Sequence, residues 1–332
     1  MMRALQTVAS SIEAAGADKG LAVPEHEMRP LSNTQLDALF AAYVDLNIKW
    51  LRFDFYWGAM EQTQGTINYA DVDRIITRCV ANDIRILPVI HTTPVWARPA
   101  TVYNPSTGQN EASKDVYGPT STTEQNNYAS FVGRVAQHYK GVIHHYEIWN
   151  EQNLPQFWQP TPSVGAYCSL LSKAYDAIKA VDPDIYVLSG GTGGAVGPPG
   201  ITPTDFIHGT YDNGANLKCD GIAVHPYSNK DGQMSGELWN SRINIRDYMD
   251  SHGDSTKLLW GTETGTSTSG PNSMTEAGQA KLATDSYAYW RGMHHAGPLF
   301  WYTYFDDAEV FGITRPDGSQ KPAFATFKAV PK

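Results

Sequence analysis

The chain has 332 residues, 41% hydrophobic and 18% charged, a composition that suits a folded globular domain and excludes a disordered one. A formal net charge of −9 without any lysine or arginine cluster argues against nucleic acid and anionic membranes as partners. No stretch approaches the ~20 apolar residues of a membrane span, so no membrane insertion is expected.

Cys79, Cys168 and Cys219 are widely spaced and outside any paired-ligand motif, so they read as buried free thiols rather than a disulfide framework or zinc site. The N-terminal stretch MMRALQTVASSIEAAGADKG lacks the continuous apolar core of a secretory signal.

In chain order, Gly20 to Val23 reads as a weak first strand, and Ser32 as the cap of a helix through Leu46 with Leu36, Leu39, Phe40 and Tyr43 at helical spacing. Lys49 to Phe55 is a strand, Tyr69 to Asn82 a helix and Ile84 to His91 a strand. A helix from Glu124 to Tyr139 leads into Val142 to Asn153 (VIHHYEIWNEQN), whose first half is strand-like and bounded by Gly141. Helix Val164 to Val181, strand Ile185 to Ser189, helix Asp205 to Asn213 and strand Gly221 to His225 follow. The series closes with helix Glu237 to Ser251, strand Leu258 to Thr262, helix Thr275 to His294, strand Leu299 to Tyr304 and helix Lys321 to Val330. Pro322 suits the first turn of that last helix.

Eight strand–helix units without repeats or a composition shift predict an α/β fold, a single (β/α)8 TIM barrel. The expected domain is residues 1–332, with the barrel proper over about 20–330. An open doubly wound sheet would carry a GxGxxG fingerprint. The glycine-rich run GGTGGAVGPPG, residues Gly190 to Gly200, lacks that spacing and reads as a flexible loop. The connection Thr92 to Thr123 is long enough to suggest a functional loop.

Polar groups recur at the strand ends. Glu147, Asn150 and Glu151 finish the fourth strand, where burial is costly unless the groups are paired or used. Glu263 closes the seventh, and two strand-end glutamates are candidates for an acid/base and nucleophile pair. Arg52 alternates with Trp50 and Asp54 on one strand face and needs carboxylate partners, for which Asp54, Glu147 and Glu263 are available. His91 ends the third strand, His225-Pro226-Tyr227 the sixth, and Trp301 sits on the eighth. Glu147 and Asp54 read as ion-pair partners, and Glu61 as a residue that ties down a loop.

With these residues in view, the chain resembles retaining glycoside hydrolases of clan A, TIM-barrel enzymes with catalytic glutamates on strands four and seven. Tyr146 to Trp158 (YEIWNEQNLPQFW) is similar to the WNEPN signature of glycoside hydrolase family 39 and its relatives, and family 5 cellulase-like enzymes are the nearest alternative. The second-strand pattern RFDFYWGAMEQTQG and the C-terminal GITRPDGSQKPAFATF carry the same likeness. The resemblance implies Glu151 as acid/base, Glu263 as nucleophile and Asn150 as the binder of the sugar hydroxyl next to the anomeric carbon. It implies Arg52 and Tyr227 as groups that orient the nucleophile, and His91, His225 and Trp301 as lining of the sugar subsite. Gln152 departs from the pattern, standing where a proline usually follows the acid/base.

The resemblance implies a poly- or oligosaccharide substrate, and the residues themselves lead us to expect no cofactor and no metal. That substrate class points to an extracellular or cell-envelope setting. A non-catalytic carbohydrate-binding barrel is the alternative, and it would be marked by loss of a glutamate that is present here. A metal-dependent hydrolase fits less well, because neighbours such as His144 and His145 on a strand point to opposite faces. Trp57, Trp96, Tyr103, Trp158 and Trp301 are expected around the mouth, with Trp301 and at least one loop tryptophan lining the pocket. The two carboxyl groups are expected ~5–5.5 Å apart, as retention requires, and the long third loop suggests an endo-acting enzyme.

Overall fold

The computed structural model describes residues 18–195, 197–228, 236–270 and 273–332. The N-terminal stretch read for a signal falls largely outside these, as does one position of the glycine-rich run. Eight parallel strands close into a barrel: β1 Lys19–Ala22, β2 Trp50–Tyr56, β3 Arg85–His91, β4 His145–Asn150, β5 Tyr186–Gly191, β6 Gly221–Val224, β7 Leu258–Thr264 and β8 Ala296–Tyr302. Each strand pairs with its sequence neighbours, and β8 closes on β1 with Leu21 opposite Trp301. Sequential order and parallel pairing are what strand–helix–strand crossovers of one hand produce.

The outer layer begins with α1 Asn33–Asp45, α2 Ala70–Ala81, α3 Thr122–His138 and α4 Val164–Val181. It continues through α5 Pro203–Asp212, a composite α6 Glu237–Ser251, α7 Glu276–Arg291 and α8 Pro322–Ala329. Ser32 caps α1 and Ser121 caps α3 in reciprocal boxes with Gln35 and Glu124, so each helix starts where a hydroxyl can satisfy its free N–H groups.

Three local readings change. The helix expected over Glu237 to Ser251 is α-helical at Glu237–Asn240 and Asp247–Ser251, but π-helical at Ser241–Arg246 between them. The long third connection contains an antiparallel hairpin, Thr101–Asn104 with Gln109–Ala112. Gly190, Gly191 and Gly193 are buried at and just beyond the end of β5, so the start of the glycine run is packed structure rather than a flexible loop.

Two apolar layers divide the core. The larger lies between barrel and helices, and takes in Trp57, Trp158, Trp290 and Trp301. The smaller fills the barrel itself with Trp50, Leu87, Tyr186, Leu188, Ala223, Trp260 and Phe300. Trp50 stands edge-on to His145 and Trp260, with ring centroids 4.7 and 5.2 Å apart. This plug leaves inward-facing positions nearer the C-terminal strand ends for polar groups.

Candidate active site

The end of β4 builds the first half of the site. Trp149 and Glu151 adopt φ of 73° and 45°, the left-handed region that a side chain occupies at a cost of about 1–3 kcal/mol each. Packing holds them there. Trp149 is wedged against Tyr128 and Trp158, and its Nε1 donates to the Phe157 carbonyl at 2.9 Å. The Glu151 N–H donates to the Gly191 carbonyl on β5 at 2.9 Å. These turns bring Asn150 and Glu151, consecutive residues, together onto the cavity.

Arg52 on β2 ties β4 and β7 together. Its Nε donates to Glu147 at 2.6 Å, Nη1 to Glu263 at 2.6 Å and Nη2 to Asn150 Oδ1 at 2.7 Å. Burial works against the guanidinium charge, but Glu147 and Glu263 outweigh it and keep the group protonated. Glu147 is satisfied further by the Gly191 N–H at 2.8 Å and the Thr262 hydroxyl at 3.0 Å, which suits a structural ion-pair partner. Asp54 does not join this pair. It binds His91 Nε2 at 2.9 Å and accepts from the Tyr56 hydroxyl at 2.9 Å and the Glu25 N–H at 3.1 Å. Burial raises the Asp54 carboxyl, but the hydrogen bond and charge of His91 reverse this and hold it at about 2.

Glu263 faces Glu151 from β7. Tyr227 donates its hydroxyl to Glu263 Oε2 at 2.6 Å. Burial alone would raise this carboxyl; the charges of His225 and Arg52, with the Tyr227 bond, hold it below the usual range. His225, fully buried, places Nδ1 2.8 Å from Glu151 Oε1 and 3.5 Å from Glu263 Oε2. Burial disfavours its charge, yet Glu263 and Glu151 outweigh burial and raise it above its ordinary value. Glu151, His225 and Glu263 bring one ligand atom each within 4.8 Å of one another, and among the described residues they form the one group spaced to hold a metal ion. The Arg52 guanidinium already supplies positive charge to Glu263 there.

A cavity of about 400 Å³ opens over these groups, lined by Arg52, Asn150, Glu151, Tyr227, Glu263 and His91 among others. His225 sits behind the two carboxylates rather than on the wall. The tryptophan expectation fails. Trp301, fully buried, packs outward on Phe327 of α8, because β8 turns Phe300 into the barrel and alternation sends the next side chain out. Tyr302, the next inward position, lines the cavity instead. Trp57 lies beneath the mouth against Trp96 and Phe131, with Nε1 donating to Glu61 at 2.8 Å. Trp96 donates to the Glu61 carbonyl at 2.7 Å and stays off the cavity wall. Glu61 also accepts from the Gly65 N–H at 2.7 Å and from Arg134, so it ties down a loop. Trp158 is buried on Trp149 and Tyr167, and Tyr103 is an exposed residue of the hairpin. Besides Phe53 and the expected Tyr227, the aromatic lining comes from Tyr56, Phe157, Tyr302 and Phe311, which sequence reasoning did not single out. Strand parity could have found Tyr56 and Tyr302, since each follows an outward residue on its strand.

Fold and site together define the class of TIM-barrel glycoside hydrolases. Residues 13–301 match the family model for cellulase, glycosyl hydrolase family 5, and the chain belongs to that family. The fold is shared with a family 39 glycoside hydrolase from the gut symbiont Bacteroides cellulosilyticus, at 22% identity and TM-score 0.74 over 94% of this chain. It is shared with a family 5, subfamily 18 enzyme from Streptomyces cattleya solved with GlcNAc, at 14% identity and TM-score 0.70 over 94% of this chain and 79% of that one. An endo-β-1,3-glucanase of family 128 from Sorangium cellulosum matches at 16% identity and TM-score 0.58, over 95% of this chain and 99% of that one. The chain spans 63% of the length of the Bacteroides protein.

Proposed function

We propose that the protein cleaves glycosidic bonds of a poly- or oligosaccharide with retention, using Glu263 as nucleophile and Glu151 as acid/base. The observation that carries this reading is the spacing of the two carboxylates, which bring an oxygen each within 4.8 Å of one another. Inversion needs about 6.5–9.5 Å to admit a water, whereas double displacement works at about 5–5.5 Å.

Glu263 is held ionised by Arg52, His225 and Tyr227, the state a nucleophile needs. It attacks the anomeric carbon, and the bond to the leaving oxygen breaks as Glu151 protonates that oxygen. Glu151 then takes a proton from water, which attacks the same face, displaces Glu263 and completes retention. Glu151 Oε1 is fixed by His225, while Oε2 carries no protein hydrogen bond among the described residues. Asn150, oriented by Arg52, is placed to bind the hydroxyl beside the anomeric carbon. Tyr56, Tyr302, Phe157 and Phe311 offer flat faces for the apolar side of a sugar ring.

Cleavage within a chain rather than at its end is supported by the long loop after β3, whose hairpin is joined to the loop after β4 by Gln159, with Nε2 donating to the Ala112 carbonyl at 3.1 Å. Proton NMR of the first product tests the mechanism: the anomeric configuration of the substrate should be preserved, and an inverted first product would overturn it.

A further inference from the structure

The glycine run after β5 carries an inference that rests on Glu151 being the acid/base. A Cβ on Gly193 would stand 2.3 Å from Glu151 Oε1 and 2.6 Å from its Cδ. One on Gly191 would stand 2.2 Å from His225 Nε2, and one on Gly190 2.3 Å from Gln152 Oε1. These three glycines are buried and packed against the acid/base, the imidazole that holds it and the residue that follows it. Gly194, the next position, is exposed, and a Cβ there meets nothing closer than 3.6 Å.

The Gly193 peptide is itself clamped. Asn153, fully buried, accepts from the Gly193 N–H at 3.0 Å and donates Nδ2 to the Gly193 carbonyl at 2.6 Å. The same Nδ2 donates to the Ile201 carbonyl at 2.8 Å, and the Ile201 N–H returns to the Asn153 carbonyl at 2.9 Å. Gln152, which stands where a proline was expected, donates Nε2 to the Gly190 carbonyl at 2.9 Å. The turn after Glu151 is therefore sewn onto the glycine run by two side chains.

We infer that Gly193, clamped by Asn153, is a positioning residue: its bare Cα forms the wall against which the Glu151 carboxyl rests, and so fixes where the acid/base proton is delivered. The wall and His225 confine the carboxyl from two sides. A methyl group at 193 fills the space of Oε1 and forces the carboxyl off His225. The backbone at 193 lies outside the left-handed region, so alanine meets the side-chain clash and not a backbone penalty.

The test is kcat/KM across a ladder of aryl glycosides of the sugar the enzyme cleaves, from phenyl to 2,4-dinitrophenyl, for wild type, Gly193→Ala, Gly194→Ala and Glu151→Ala. Gly193→Ala should lose about 10²-fold or more on phenyl glycosides but under about 10-fold on the dinitrophenyl glycoside, whose departure needs no proton. Azide should raise the turnover of Glu151→Ala on the dinitrophenyl substrate, and Gly194→Ala should follow wild type. An equal loss on every rung, or none, would overturn the inference. If Gly193→Ala does not fold, Asn153→Asp, which keeps the acceptor for the Gly193 N–H but loses the donor to its carbonyl, decides the question on the same ladder. Glu151→Ala separates the two readings: if it shows no leaving-group dependence, the acid/base assignment has failed. If it shows one that Gly193→Ala lacks, only the role of Gly193 has failed.

Discussion

The two ends of the barrel interior use the same strands for opposite purposes. Toward the N-terminal end, β2, β4 and β7 supply Trp50, His145 and Trp260, with Trp50 edge-on to the other two and those two tilted against each other. Toward the C-terminal end those strands supply Arg52, Glu147 and Glu263, joined through one guanidinium. Burial of their apolar area is non-directional, and the preferred ring geometry adds only about 0.5–1.5 kcal/mol per pair, so the lower layer stabilises the barrel mainly by being buried. A buried arginine between two carboxylates is the opposite case. Its desolvation is met only by well-placed partners, and its return is an ionised Glu263 in a fixed position. Stability and chemistry are thus separated by a few residues along each strand.

Substitutions at each end break or sharpen that contrast. Glu263→Ala should lower kcat about 10⁴-fold or more with the nucleophile gone, and because Arg52 keeps Glu147 it should cost less in urea unfolding than removal of the arginine itself. Arg52→Met is the substitution that crosses the divide, because it leaves Glu147 and Glu263 without their shared cation. It should cost about 3–5 kcal/mol in urea unfolding and also depress kcat/KM. Trp260→Ala, at the other end, should cost about 3–5 kcal/mol, with kcat/KM of the folded enzyme held within about two-fold. A large kcat/KM loss there would mean the two ends are not separable.

The smallest effect concerns acid. Asp54 has its pKa depressed to about 2 from an ordinary 3.8 by His91, so its contribution is present above pH 3.8 and lost as pH falls through about 2. That contribution is about 2 kcal/mol. His91→Leu should therefore be less stable than wild type at pH 5, and the gap should narrow toward pH 2. A gap constant with pH would show that Asp54 does not depend on His91.

The same contrast explains what the sequence disclosed. Strand and helix positions were legible because periodicity and caps are local, as at Ser32 with Gln35 and Val164 to Val181. Polar residues at strand ends were legible for a complementary reason: Arg52, Glu147, Asn150, Glu151 and Glu263 have no place inside a strand unless they meet one another. Composition misled where direction decides. The resemblance and the fit of tryptophan to a sugar ring both point to Trp301 at the subsite, yet the parity of β8 gives that wall to Tyr302. Trp57 and Trp96 belong to the packing around Glu61, which depends on Arg134 and Phe131 of α3 and so on contacts distant in sequence. The pairing of Asp54 with His91 rather than Arg52 likewise needed the register between β2 and β3, in which Tyr56 stands beside His91 and Asp54 beside Val89. Phe157 and Phe311 come from loops, where no period indicates which side chain turns toward the cavity.

The most direct test of the central claim is to trap the enzyme with a 2-deoxy-2-fluoro dinitrophenyl glycoside of its substrate sugar and map the adduct by peptide mass spectrometry. The electron-withdrawing fluorine slows both steps and the leaving group restores only the first, so a covalent glycosyl-enzyme should accumulate on the peptide containing Glu263, one fluoroglycosyl unit per chain. An adduct on Glu151, or release of an inverted sugar with no covalent species, would contradict the account.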